Sequence, residues 1–138
     1  MFKKILVPVD FTAKNEAAIE ATSEIAKMNH AEITLFHAIE KIDLLTSSEV
    51  RGFYSRLKKN AETKIRTLAK KFNSKIKVKT NIIFGNRAEE IVRFALDHDI
   101  DLIVMASHKI NQRNMNEGWG TLSYKVAILS QCPVLLVK

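Results

Sequence analysis

Four ingredients are scarce in this chain of 138 residues: it has one cysteine, two prolines, four glycines and fewer acids than bases. Each scarcity removes a class of function. A lone Cys132 cannot close an internal disulfide, and beside Pro133 in an apolar stretch it reads as a small buried hydrophobe rather than a reactive thiol, so redox chemistry is a poor fit. The few glycines build no GxxxxGK(S/T) loop, no GxGxxG turn after the first strand and no GxSxG elbow, and no paired Cys/His spacing offers a zinc site. The opening run KKILVPV is broken by Pro8 and stopped by Asp10, which suits neither a secretory signal nor a membrane span; the expected location is the cytoplasm.

What is present is ordinary globular material, 46% hydrophobic and 27% charged, in a length that suits one domain over residues 1–138 with one core. The net charge of +7 is concentrated. Eleven Lys or Arg lie between Arg51 and Lys79 against the single acid Glu62, so the rest of the chain is net acidic. Without aromatic residues interleaved on the polar side, that stretch is read as a solvated helix face rather than a nucleic-acid surface.

Apolar runs and helical stripes alternate along the chain. Strands are expected at Lys3 to Val9, Glu32 to Ala38, Ile76 to Phe84, Leu102 to Met105 and Val134 to Val137. Between them fall four helices: one capped by Thr12 with Ala18, Ala21, Ile25 and Met28 inward, a long one from Val50 to Phe72, one through Ala88, Ile91, Val92, Ala95 and Leu96, and one marked by Leu122, Val126 and Leu129. The long helix carries its apolar stripe on Val50, Phe53, Leu57, Ala61, Ile65, Leu68 and Phe72. This order predicts an α/β fold, a doubly wound five-stranded parallel sheet with helices on both faces, because crossovers between parallel strands are right-handed.

Ligands of such sheets sit beyond the carboxyl ends of the strands, where strand order reverses. The residues to weigh are therefore Asp10, Ala38 and Ile39, Gly85, and Ala106 to Lys109. A phosphoacceptor receiver would need clustered acids there, and only Asp10 is available. His30 and His98 are expected to cap helix ends in solvent, and His37, inside the second strand, to be a packed, hydrogen-bonded histidine rather than a base.

Six segments in this order, KKILVPVDFTAKNEAAIEA (Lys3 to Ala21), LFHAI (Leu35 to Ile39), GNRAEEIVRFA (Gly85 to Ala95), DLIVMASH (Asp101 to His108), GTLSYKV (Gly120 to Val126) and CPVLLVK (Cys132 to Lys138), resemble a single-domain universal stress protein along its whole length. The resemblance implies a Rossmann-like fold of the adenine-nucleotide hydrolase type and a homodimer paired through the last strand. Members that bind ATP carry Gly, two residues, Gly, nine residues, Gly, then Ser or Thr, starting after the fourth strand; the glycines let backbone N–H groups approach the phosphates. Here the first two positions are Ala106 and Lys109, and ten residues separate Lys109 from Gly120, which is followed by Thr121 and Leu122.

The adenosine half of the pattern is present. Asp10 matches the acid near the ribose, Pro8 and Val9 the residues packing the base, Ala38 the backbone meeting adenine, and Met105 and His108 also match. Asp10 has a plainer reading as a loop acid before a helix, stabilised by the helix dipole. Lys109 and Arg113 could supply charge in place of the missing glycines, while a solvated loop of Asn111, Gln112, Asn114 and Asn116 is the preferred account. Trp119, between Gly118 and Gly120, either packs the loop or stacks on a ligand. The expected function is a stress-associated cytoplasmic binding or signalling protein with a degenerate nucleotide site and no evident catalysis. The alternative is an ATP- or AMP-binding protein with slow or no hydrolysis, and an anion or RNA binder using the basic helix ranks last.

Overall fold

The computed structural model describes residues 1–41, 48–107 and 121–138. Its nine elements alternate without exception: β1 (Lys4–Pro8), α1 (Asn15–Asn29), β2 (Glu32–Ile39), α2 (Ser48–Ala69), β3 (Val78–Phe84), α3 (Arg87–Asp97), β4 (Leu102–Ala106), α4 (Leu122–Leu129) and β5 (Val134–Val137). All strand pairs are parallel and the order across the sheet is β3-β2-β1-β4-β5. Strand order thus reverses between β1 and β4, which pair Ile5 with Leu102 and Leu6 with Ile103.

The two faces follow from the period of two along each strand. Ile5, Val7 and Val9 of β1 and its exit, with Ile33, Leu35, Leu102 and Val104, meet Ala18, Ile19 and Ala26 of α1 and Ile65 of α2. Leu6, Phe36, Ala38, Ile103 and Met105 point the other way, onto Ala88, Ile91 and Ala95 of α3 and Val126 of α4. The central strands are buried on both sides, as their unbroken apolar runs require.

Several details differ from the sequence expectation. Thr12 does not cap α1: the N-cap position is Lys14, without a side-chain hydrogen bond, because Thr12 is drawn back to Asp10. The inward face of α1 is Asn15, Ala18, Ile19, Thr22 and Ala26, while Met28 is 81% exposed. Two of those inward residues are polar and are satisfied locally; the Thr22 hydroxyl donates to the Ala18 carbonyl at 2.7 Å. On α2 the buried aromatic is Tyr54, packed with Ile39 and Phe84, and Phe53 stands half exposed. β3 begins at Val78 because the Ile76 N–H is committed to a turn on the Asn73 carbonyl. On α4 the buried residues are Ser123 and Val126, and Leu129 is exposed.

Candidate functional site

A cleft of about 200 Å³ opens at the carboxyl ends of β1 and β4, where strand order reverses. Its floor is apolar: Pro8 and Val9 leave β1, Phe36 and Ala38 belong to β2, Met105 to β4, and Ile91 reaches in from α3. Its far wall is hydroxylic, formed by Ser107 after β4 and by Thr121 and Ser123 at the start of α4. The Ser107 and Ser123 hydroxyls lie 3.0 Å apart, Thr121 Oγ1 is 3.4 Å from Ser123 Oγ, and both serines are buried. Lys138, just past β5, reaches the Ser107 hydroxyl with its ammonium at 3.5 Å.

The rim beside β1 is organised by one buried side chain. Asn15 Oδ1 accepts from the backbone N–H groups of both Asp10 and Phe11, at 3.0 and 2.9 Å, which pins the loop onto the first turn of α1. Phe11 takes a left-handed backbone, φ 64°, within that loop. Asp10 Oδ1 in turn accepts from the Thr12 N–H and hydroxyl, so the acid both shapes a turn and lines the cleft. Among the described residues these bonds fall on Oδ1 alone.

His37 lies on the same lining, half-buried, with its ring against Phe11 at 4.5 Å. Its Nδ1 is 2.7 Å from the Val9 carbonyl oxygen. A carbonyl can only accept, so the proton sits on Nδ1 and Nε2 keeps its lone pair. Burial pushes the imidazole below its ordinary pKa; the bond to Val9 works against that shift and the nearby Arg87 guanidinium adds to it. His37 is therefore a neutral, packed group in the neutral pH range, in line with its expected role.

Of the sequence-derived site residues, the structure gathers Pro8, Val9, Asp10, Ala38, Met105, Thr121 and Leu122 around this one opening. His108, Lys109 and Gly120 lie outside the described residues, as do Arg113, Gly118, Trp119 and the Asn/Gln-rich stretch. Lys14, Asn15, Arg87, Ile91, Ser107 and Ser123 also line the cleft and were not singled out from sequence. Ser107 fell inside the flagged strand exit, and Arg87 lies two residues after Gly85, whose φ of 155° and close approach to the Glu90 side chain favour glycine at that turn. The Arg87 N–H donates to the Glu40 carboxylate at 3.2 Å, and Asn86 caps α3 by accepting from the Glu89 N–H.

The model of the universal stress protein family matches residues 1–138. The chain belongs to the universal stress protein family. A universal stress protein of Methanocaldococcus jannaschii is 31% identical over 157 aligned residues, covering 100% of this chain and 96% of its own. The Bacillus subtilis universal stress protein YxiE is 30% identical with 100% of both chains covered. The solved structure of the M. jannaschii protein superimposes with a TM-score of 0.81 over 100% of this chain and 96% of that one, at 32% identity. Two more distant universal stress proteins share the fold: one was solved with cAMP (TM-score 0.65, 17% identity, 99% of this chain and 96% of that one), and one from Archaeoglobus fulgidus with dAMP (TM-score 0.64, 18% identity, 100% of both).

Among the described residues of this universal stress protein, no group of three or more His, Cys, Asp or Glu is placed to hold a metal ion, and no helix is long and apolar enough to cross a membrane. Cys132 sits at the opposite end of the sheet, half-buried, and burial raises its thiol pKa above the ordinary value.

Proposed function

We infer that this universal stress protein is a cytoplasmic, dimeric binding protein of the stress response whose cleft takes the adenosine part of an adenine nucleotide. The carrying observation is the cleft at the β1/β4 reversal, with a flat apolar floor from Pro8 to Met105, Asp10 on one rim and hydroxyls on the other. A purine is apolar on its faces and polar at its edges, and a ribose offers hydroxyl donors that the Asp10 carboxylate can accept. Solved family members holding cAMP and dAMP support the choice of an adenine ligand. Ala106 and Lys109 in place of two glycines argue against a backbone nest for the outer phosphates.

Binding rather than turnover is the better reading. Ser107 and Ser123 hydrogen-bond to each other, and His37 spends Nδ1 on the Val9 carbonyl, so the cleft hydroxyls have a neighbour other than a base. Dimerisation rests on β5, an edge strand with Leu135 38% exposed, beside Ile128 and Leu129 of α4 at 81% and 55%. An apolar open edge invites uncontrolled pairing, and a twofold mate closes it.

Titration calorimetry with adenosine, AMP and ATP tests the cleft. Adenosine-containing ligands are expected to bind, AMP about as well as ATP, and Asp10→Ala to weaken all three. ATP binding far above AMP would show a working triphosphate cradle, and no binding of any of the three would overturn the reading.

A further inference from the structure

A cation at the start of a helix opposes the partial positive charge that the unpaired N–H groups create there, and the usual occupants are Ser, Thr, Asp or Asn. Two helices of this protein carry a cation at or next to that position, and both do so at the cleft, although on α3 the capping residue itself is the preferred Asn86. Lys14 holds the N-cap position of α1 with no side-chain cap. Arg87 is the first residue of α3. Both side chains line the cleft.

Neither cation has a partner that explains its position. Among the described residues, no carboxylate lies within ion-pairing distance of Lys14 or Arg87. Glu40 is close to Arg87, yet it takes the backbone N–H rather than the guanidinium. Among the described residues Asp10 is the single carboxylate on the cleft lining, and its Oδ1 is already engaged by Thr12. With His37 neutral, the described lining sets two cations against one carboxylate around an opening of about 200 Å³. Such a field selects an anion, because low-dielectric walls focus it on whatever enters.

We propose that Lys14 and Arg87 are the charge-selecting residues of the cleft, so that it takes nucleoside monophosphates in preference to nucleosides through two side-chain cations instead of a glycine loop. The proposal rests on the nucleotide reading above and deepens it. It also accounts for the electrostatic cost of both positions: the bound phosphate neutralises charge that the empty protein holds against two helix ends.

The test combines calorimetry and unfolding on the full chain. Adenosine and AMP are titrated into the native protein, Lys14→Ser, Arg87→Ala, the double variant and Arg87→Lys, and each is melted without ligand. AMP is expected to bind native protein more tightly than adenosine, with an advantage that shrinks as salt is raised. Each neutral substitution should cut AMP affinity about three- to tenfold and leave adenosine nearly unchanged. The same substitutions should raise the ligand-free midpoint by about 1–3 °C, since they remove an unfavourable charge at a helix start. Arg87→Lys should keep the preference for AMP. Equal binding of adenosine and AMP to native protein overturns this inference and leaves the nucleotide reading standing, and so does a fall in ligand-free midpoint with AMP affinity unchanged. If neither ligand binds, the nucleotide reading fails and takes the inference with it.

Discussion

At the carboxyl end of the sheet, the cleft of about 200 Å³ collects the first turns of α1, α3 and α4. At the amino end, a groove of about 220 Å³ lies among Val92, Ala95 and Leu96 of α3, Ser130 past the end of α4, and the Asp99 and Cys132 connections. The volumes are nearly the same and the chemistry is opposite. Helix starts present N–H groups and, here, two cations; helix ends present carbonyls, joined in the groove by the acid Asp99. The only thiol in the chain sits at the end of the sheet away from the proposed site, and burial raises its pKa. Space alone therefore does not mark the site. The direction in which the helices point marks it, and that direction is fixed by the parallel sheet.

The largest expected effect separates the two ends by stability. Phe36 is fully buried beneath the cleft and packs with its ring tilted against Phe94 at 5.1 Å, so Phe36→Ala should cost about 3–5 kcal/mol in urea unfolding. Leu96, 61% exposed beside the groove, should change stability by no more than about 0.5 kcal/mol when cut to Ala. A comparable loss at both positions would break the distinction.

Asn15→Ala comes next. It strands two backbone N–H groups that the buried side chain now satisfies, at an expected cost of about 1–3 kcal/mol. Because those donors belong to Asp10 and Phe11, adenosine affinity should fall in the same variant, which calorimetry reads directly. Unchanged affinity would mean that the rim is not part of the site.

A smaller effect is pH dependence. The folded state holds the His37 pKa below the unfolded value, near 6.5, so the unfolded chain binds the proton first. The contribution of this group is fully present above that value and is lost as pH falls from it toward the lower folded value. Urea midpoints should therefore decline between neutral and mildly acidic pH with a slope that His37→Gln flattens. The smallest effect belongs to the groove: Cys132→Ala should cost about 1 kcal/mol or less and leave nucleotide affinity where it was.

The element order was legible because apolar runs such as Leu102 to Met105 and the long stripe through Ala61 and Ile65 survive packing unchanged. The face of α1 was not. Counting only apolar residues pointed to Met28, while the inward positions include Asn15 and Thr22, polar groups whose hydrogen bonds are made inside the fold. Phe53 and Tyr54 are adjacent aromatics, and only the position of Phe84 across the gap decides that Tyr54 turns in, ring to ring at 6.1 Å.

The site divides in the same way. Strand exits announce themselves, so Asp10 and Ala38 were candidates from position alone, and the family resemblance added Met105. Polar residues at helix starts look like ordinary surface until the sheet brings three starts together, which is why Lys14, Arg87 and Ser123 were missed. Ala106 was read as a lost glycine and Ser107 beside it, inside the same flagged exit, was given no role, although its hydroxyl is the one that meets Ser123.

Backbone amide shifts of the isotope-labelled protein during an AMP titration bear most directly on which end of the sheet is the binding end. Saturable movement is expected at Val9, Asp10, Ala38, Ser107 and Ser123, with Leu96, Asp99 and Cys132 still. Movement centred on Leu96 and Cys132, or none anywhere at saturating AMP, would contradict the account.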